Sequence, residues 1–129
     1  MFMLDTDTCS YVLKYPTDIV AQRFEENSGS IAISEIVLAE LRFGAENHPT
    51  RTSYLHSAIN TFADRLDVIP WAASVKFGEL RAYLKRNGTP IGILDTLIAA
   101  HSLQLGFTLV TNNNKHYRQV PDLRIENWT

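Results

Sequence analysis

Three carboxylates in this chain of 129 residues each interrupt an apolar pattern. Asp5 directly follows Phe2-Met3-Leu4. Glu40 lies in a helical pattern whose i±3 and i±4 positions are Ile36, Val37, Phe43 and Gly44, none of them polar. Asp95 repeats the arrangement with Ile91, Gly92, Ile98 and Ala99. An unpaired charge turned toward the core side is costly. Taken alone, Asp95 reads equally well as an ordinary charge at a helix start, but Glu40 lies mid-helix, where capping does not explain it. Carboxylates gathered without a cation repel and raise one another's pKa. An all-oxygen set of this kind suits Mg²⁺, or Mn²⁺ in its place, with several waters retained. Asn113 follows the apolar run Phe107–Val110. An isolated Asn there is ordinarily a turn residue, whereas beside the acids it would orient a metal-bound water. Thr6 and Asp7 share the strand end with Asp5, and Asp7 also suits a helix cap. Ser34 and Thr111 each follow an apolar strand, where their hydroxyls are expected to hold the carboxylates in place.

These side chains need strands that end together and helices that start there. Phe2–Leu4 reads as a strand stopping near Asp5, with cap and turn residues Thr6–Ser10 opening a helix. Thr17–Glu26 reads as an amphipathic helix with Ile19, Val20 and Phe24 on one side. Ile31–Ile33 is a buried strand, and Ser34 caps a helix running to about Glu46. Arg51–Arg65 is helical with Leu55, Ile59 and Phe62 as its stripe, and Leu66–Ile69 is a short strand ended by Pro70. Ala73–Arg86 is helical and stops at Asn87-Gly88-Thr89-Pro90. Leu94–Leu105 is an apolar helix stopped by Gly106. Phe107–Val110 is a strand, Thr111–Asn114 a polar turn, and Leu123–Ile125 a final edge strand. Strands separated by helices predict an α/β fold with a mostly parallel sheet covered on both faces. In such sheets ligands bind at the carboxyl ends of the strands.

The totals are bland. Fourteen acidic and twelve basic side chains give a formal charge of -2, which does not suggest a strongly basic nucleic-acid binder. One cysteine, Cys9, excludes a disulfide framework and a four-cysteine zinc site. No apolar run reaches the ~20 residues of a membrane helix, and the start lacks signal-peptide character. The expectation is a cytoplasmic protein of one domain, residues 1–129, without membrane contact. Lys115, His116 and Arg118 follow the Asn113 loop, where they are expected to contact phosphates. Arg81, Lys85 and Arg86 read as a solvated helix face. Arg42 and His101 read as core or ion-pair residues, and Trp71 and Trp128 as packing.

Together the segments Met3-Leu4-Asp5-Thr6-Asp7, Ile33-Ser34-Glu35-Ile36 leading to Glu40-Leu41, Gly88-Thr89-Pro90-Ile91-Gly92 leading to Asp95, and Leu109-Val110-Thr111-Asn112-Asn113 resemble a PIN-domain ribonuclease. The resemblance is closest to the VapC toxins of toxin–antitoxin pairs, and it covers essentially the whole chain in order and spacing. It implies a three-layer α/β/α fold and a metal-dependent endoribonuclease that blocks translation by cutting RNA, with tRNA such as initiator tRNA a plausible target. Asp5, Glu40 and Asp95 match the acidic metal site, with Asp5 and Asp95 on the ion and Glu40 as ligand or outer base. Asn113 stands where many PIN domains carry a fourth acid, which favours a one-metal site. Asp7 stands where the family commonly has Asn. The resemblance also implies a homodimer, a cognate VapB-type antitoxin that wraps the toxin and inserts a basic side chain into the acid pocket, and DNA contact only through that antitoxin.

Two other readings exist. Asp5-Thr6-Asp7-Thr8 with Ser34 resembles the first two motifs of a haloacid-dehalogenase-type Mg-dependent phosphatase, in which Asp5 would be the nucleophile and Asp7 the acid/base. That family needs a late pair of acids where this chain has Thr111-Asn112-Asn113, and it leaves Glu40 unexplained. A non-catalytic interaction module would have to explain three acids on apolar faces without a cation.

Overall fold

A computed structural model describes residues 1–129. Five strands form one sheet: β1 Phe2–Leu4, β2 Ile31–Ser34, β3 Asp67–Ile69, β4 Thr108–Val110 and β5 Ile125–Glu126. Every ladder is parallel, and the spatial order is β3-β2-β1-β4-β5. Seven helices accompany the sheet: α1 Thr6–Lys14, α2 Ile19–Glu26, α3 Glu35–Glu46, α4 Thr52–Ala63, α5 Ser74–Arg86, α6 Ile93–Leu105 and α7 Asn114–Tyr117. This is the three-layer α/β/α arrangement expected from alternating strands and helices.

The central strands are short apolar runs, as a sheet buried on both faces requires. Met3, Leu4, Ala32, Ile33, Leu109 and Val110 are all fully buried. Val20 and Phe24 of α2 and Ile59 and Phe62 of α4 join the same core, with Phe24 and Phe62 stacked at 5.3 Å. Those two stripes are thus largely spent inside the chain, with Ile19 left exposed. Trp128 packs edge-on to Phe2, and Trp71 donates to the Leu97 carbonyl at 2.9 Å. Both tryptophans are packing residues, as expected. His101 is 1% exposed in α6, an ordinary core residue. Arg42 bonds His56 and Asn60, tying α3 to α4.

The order of the strands creates the site. From β1 the chain moves outward through β2 to β3, then crosses back to place β4 on the other side of β1. The reversal lies between β1 and β4, and a crevice opens there at the carboxyl ends. The register Leu4↔Val110 and the bond from Asp5 N–H to the Val110 carbonyl, 3.1 Å, bring both strand ends level. Gly106 closes α6 at φ 68°, a left-handed conformation that glycine adopts without steric cost, and so turns the chain into β4.

Element bounds shift by one or two residues at several ends, α4 closing at Ala63 and β3 opening at Asp67 among them, and three differences have a clear local cause. The polar turn after β4 continues into the short helix α7, too brief to carry a periodic signal. The last strand is Ile125–Glu126, shifted toward the C-terminus from Leu123–Ile125, because Leu109 and Val110 select the residues they pair with. The helix expected from Thr17 begins at Ile19, where the Asp18 side chain caps it.

Candidate active site

The crevice is a cleft of about 240 Å³ lined by Asp5, Thr6, Asp7, Glu40, Asp95 and Asn113, with no hydrophobic residue among them. Asp5 ends β1 and is the N-cap of α1. Its Oδ1 accepts from the Thr8 backbone N–H at 2.9 Å, and it is 5% exposed. Thr8 also donates its hydroxyl to the Val110 carbonyl at 3.2 Å, which pins the start of α1 to the end of β4. Asp7 projects from the first turn of α1 and is exposed. Thr6 reaches across to α3, where its hydroxyl donates to Glu40 Oε1 at 2.6 Å. Asp95 comes from the first turn of α6. Its Oδ1 accepts from the Tyr117 hydroxyl at 3.1 Å, and its Oδ2 lies 3.7 Å from His116 Nδ1.

Burial raises the Asp5 carboxyl above its ordinary value of 3.8, the nearby Asp7 charge adds to this, and bonds from Thr111 and Thr8 partly offset it. Glu40 is raised mainly by burial as well. The Thr6 hydroxyl opposes that rise, while the charges of Asp95, Asp7 and Asp5 add to it. Burial, followed by the Asp95 charge, holds the Tyr117 phenol far above its ordinary value of 10.0, so the group remains a donor. No Lys or Arg lines the cleft to neutralise the acids. The donor set is all oxygen, and its charges are mutually unfavourable, which fits a hard divalent cation.

The structure brings Asp5, Glu40, Asp95 and Asn113 to one cleft, with Thr6 and Asp7 beside them. Glu40 and Asp95 are half-buried and face this opening, not the apolar core suggested by their helical neighbours. Phe43, one turn beyond Glu40, is exposed, so that side of α3 faces solvent and not the core. No three of the carboxylates already sit close enough to chelate one ion among themselves. This wider spacing goes with the mutual repulsion of the acids. It leaves room for a hydrated ion, since Mg²⁺ commonly takes one or two carboxylates and keeps several waters.

Thr111 and Ser34 part company. The Thr111 hydroxyl faces Asp5 and favours its ionised form, while its oxygen accepts from Asn113 N–H at 2.9 Å. Ser34 was expected to hold a carboxylate; instead its oxygen accepts from Ile36 N–H at 3.2 Å and caps α3. Its place between β2 and the helix start decides this, because the unpaired N–H groups there are the nearest partners. Lys115, His116 and Arg118 are all exposed on or next to α7. His116 is drawn into the site by Asp95 and by the Asn113 amide, 3.0 Å away. Sequence reasoning missed Thr8 and Tyr117. Thr8 was legible in principle, as the third residue after an N-cap Asp. Tyr117, 1% exposed, gave no signal, since its contact with Asp95 depends on how α7 packs on α6.

The PIN domain matches residues 2–123. The tRNA(fMet)-specific endonuclease VapC of Salmonella typhimurium is 38% identical over 129 residues, covering 98% of this chain and 97% of that protein. Ribonuclease VapC2 of Rickettsia felis is 39% identical over 132 residues, covering 99% and 98%. The crystal structure of DNA-bound VapBC from Salmonella typhimurium superposes with a TM-score of 0.95 at 37% identity, covering 99% of this chain and 98% of that one. With its acids at the switch point of a parallel sheet and these matches along nearly its full length, the chain belongs to the PIN-domain family, as a ribonuclease of the VapC type.

Proposed function

We propose that this protein is a Mg²⁺-dependent endoribonuclease toxin, with Mn²⁺ able to substitute, that cuts tRNA and thereby stops translation. The observation that carries the proposal is the hydrophobe-free cleft lined by Asp5, Asp7, Glu40, Asp95, Thr6 and Asn113. Asp5 and Asp95 would hold the ion, and Glu40 would bind it directly or through a water. A bound divalent ion lowers the pKa of its water and offsets charge on a phosphoryl oxygen. The protein's own groups set the geometry. Thr8 N–H and Thr111 orient Asp5, Thr6 orients Glu40, and Tyr117 orients Asp95. Asn113, fixed through Thr111, presents its amide at the rim to orient a water, and exposed Lys115, His116 and Arg118 supply phosphate contacts.

The relatives named as ribonucleases support an enzyme over an interaction module, and membership in the PIN family sets aside the phosphatase reading. Initiator tRNA is the first substrate to test, because the Salmonella relative is named for it. The solved VapBC complexes favour a VapB-type antitoxin partner for this chain too, with promoter DNA reached through the antitoxin. An acid cleft that no Lys or Arg of this chain lines suits an inserted Arg or Lys. We further propose a homodimer acting in the cytoplasm, and no helix is long and apolar enough to cross a membrane.

The test is cleavage of initiator tRNA and of total RNA, with 5′ ends sequenced after brief induction. Cleavage should vanish in EDTA, return with Mg²⁺, and be absent for Asp5→Ala. Continued cutting in EDTA, or by Asp5→Ala at the wild-type rate, would overturn the proposal.

A further inference from the structure

A second concavity of about 270 Å³ lies beside the acid cleft, lined by Arg81, Leu84, Lys85, Pro90, Ile91, Ile93 and Thr96. Its apolar side chains are mixed: Pro90 and Ile93 are exposed and Leu84 is buried. Arg81 and Lys85 stand one helical turn apart on α5, both exposed, and neither enters an ion pair. Arg81 instead lies over the Phe77 ring at 5.9 Å, which leaves its guanidinium open to an anion. The two clefts meet on the first turn of α6, where Asp95 faces one and its neighbours Ile93 and Thr96 face the other. Ile93, Asp95 and Thr96 share one helical turn, so the two linings adjoin on α6.

We propose that this cleft is an RNA-binding subsite that takes the strand adjoining the scissile phosphate, an inference that rests on the ribonuclease reading above. Arg81 and Lys85 engage two backbone phosphates, and the exposed Pro90 and Ile93 receive the face of an unstacked base. Charge favours this occupant. The acid cleft repels a polyanion everywhere except at its cation, so the flanking strand needs cations of the protein's own nearby. A strand crossing the first turn of α6 from the acid cleft meets them here. The mild net charge of -2 does not oppose this, because phosphate recognition depends on the local arrangement of cations.

The experiment uses the full chain carrying Asp5→Asn, so that RNA is bound and not cut. Fluorescence anisotropy with a labelled 15-nucleotide oligouridylate and with initiator tRNA is followed across a salt series. The expected result for Arg81→Ala/Lys85→Ala is at least about fivefold weaker binding, with the log–log salt slope shallower by about 1.4 for two lost single-strand phosphate contacts. Lys14→Ala/Arg23→Ala, two exposed cations on α1 and α2, should leave both values unchanged. If the parent chain binds neither RNA, the ribonuclease reading itself fails. If it binds and the Arg81/Lys85 variant keeps its affinity and slope, the subsite alone is refuted. Loss of self-association in sedimentation with an unchanged salt slope would likewise refute it and make the cleft an interface between copies.

Discussion

The Tyr117 hydroxyl donates to Asp95 Oδ1 at 3.1 Å, joining a buried phenol on α7 to a carboxylate on the first turn of α6. The bond aims one oxygen of Asp95 and leaves the other toward the cleft and His116. Partners of this kind behind a metal-binding carboxylate typically matter about 10–100-fold in affinity or activity. Tyr117→Phe should therefore raise the Mg²⁺ concentration for half-maximal cleavage by about 10–100-fold. Thermal unfolding followed by circular dichroism should confirm an intact fold. An unchanged Mg²⁺ requirement would remove Tyr117 from the machinery.

Asp5→Asn separates function from stability. Asn caps a helix about as well as Asp, so the bond from Thr8 N–H survives. The substitution removes a charge that burial and Asp7 make unfavourable. In EDTA the variant should be more stable than wild type by roughly 0.5–2 kcal/mol, as expected for relief of a strained active site, while losing RNA cleavage. Urea unfolding in EDTA checks this, and a lower midpoint would contradict it.

Thr6→Val deletes the hydroxyl that donates to Glu40 at 2.6 Å while keeping nearly the same shape. Glu40 would lose the one bond opposing its raised pKa, and its position over the cleft would loosen. Cleavage should fall by about 10-fold or more, and Thr6→Ser should restore it. Equal activity of the Val and Ser variants would show that the bond does not act on the reaction.

His101 makes an opposite contribution to the pH dependence of stability. Burial lowers its pKa below the ordinary 6.5, and its Nδ1 has no hydrogen-bond partner. As pH falls through 6.5 the unfolded chain takes up a proton that the folded chain resists, so stability drops. Asp5 and Glu40 act the other way. Their raised values mean that the folded chain binds protons more readily, so their penalty is present at neutral pH and is relieved as pH falls through the carboxylate range. His101→Leu should therefore lose less stability than wild type between pH 7.5 and 5.5, read as urea midpoints. An equal loss in both proteins would exclude His101 as the source.

Much of the molecule follows from local chemistry. The apolar runs at Phe2–Leu4, Ile31–Ile33 and Thr108–Val110 determined the central strands, because a sheet buried on both faces requires such runs. Asp5 and Ser34 determined helix starts by capping, and Gly106 determined a helix end by its positive φ. The three acids were legible because charge inside an apolar period is costly and so demands a reason. Only the tertiary structure decided what those residues face. Strand order put β1 against β4 and so brought Asp5 beside Thr111 and Asn113, more than a hundred positions away in sequence. It turned Glu40 and Asp95 toward a polar opening instead of the core, gave the Ser34 hydroxyl to a helix end, and set Tyr117 behind Asp95. Periodicity and caps depend on neighbours along the chain, whereas these contacts depend on which strands and helices become neighbours in space, and one sequence period fits many such arrangements.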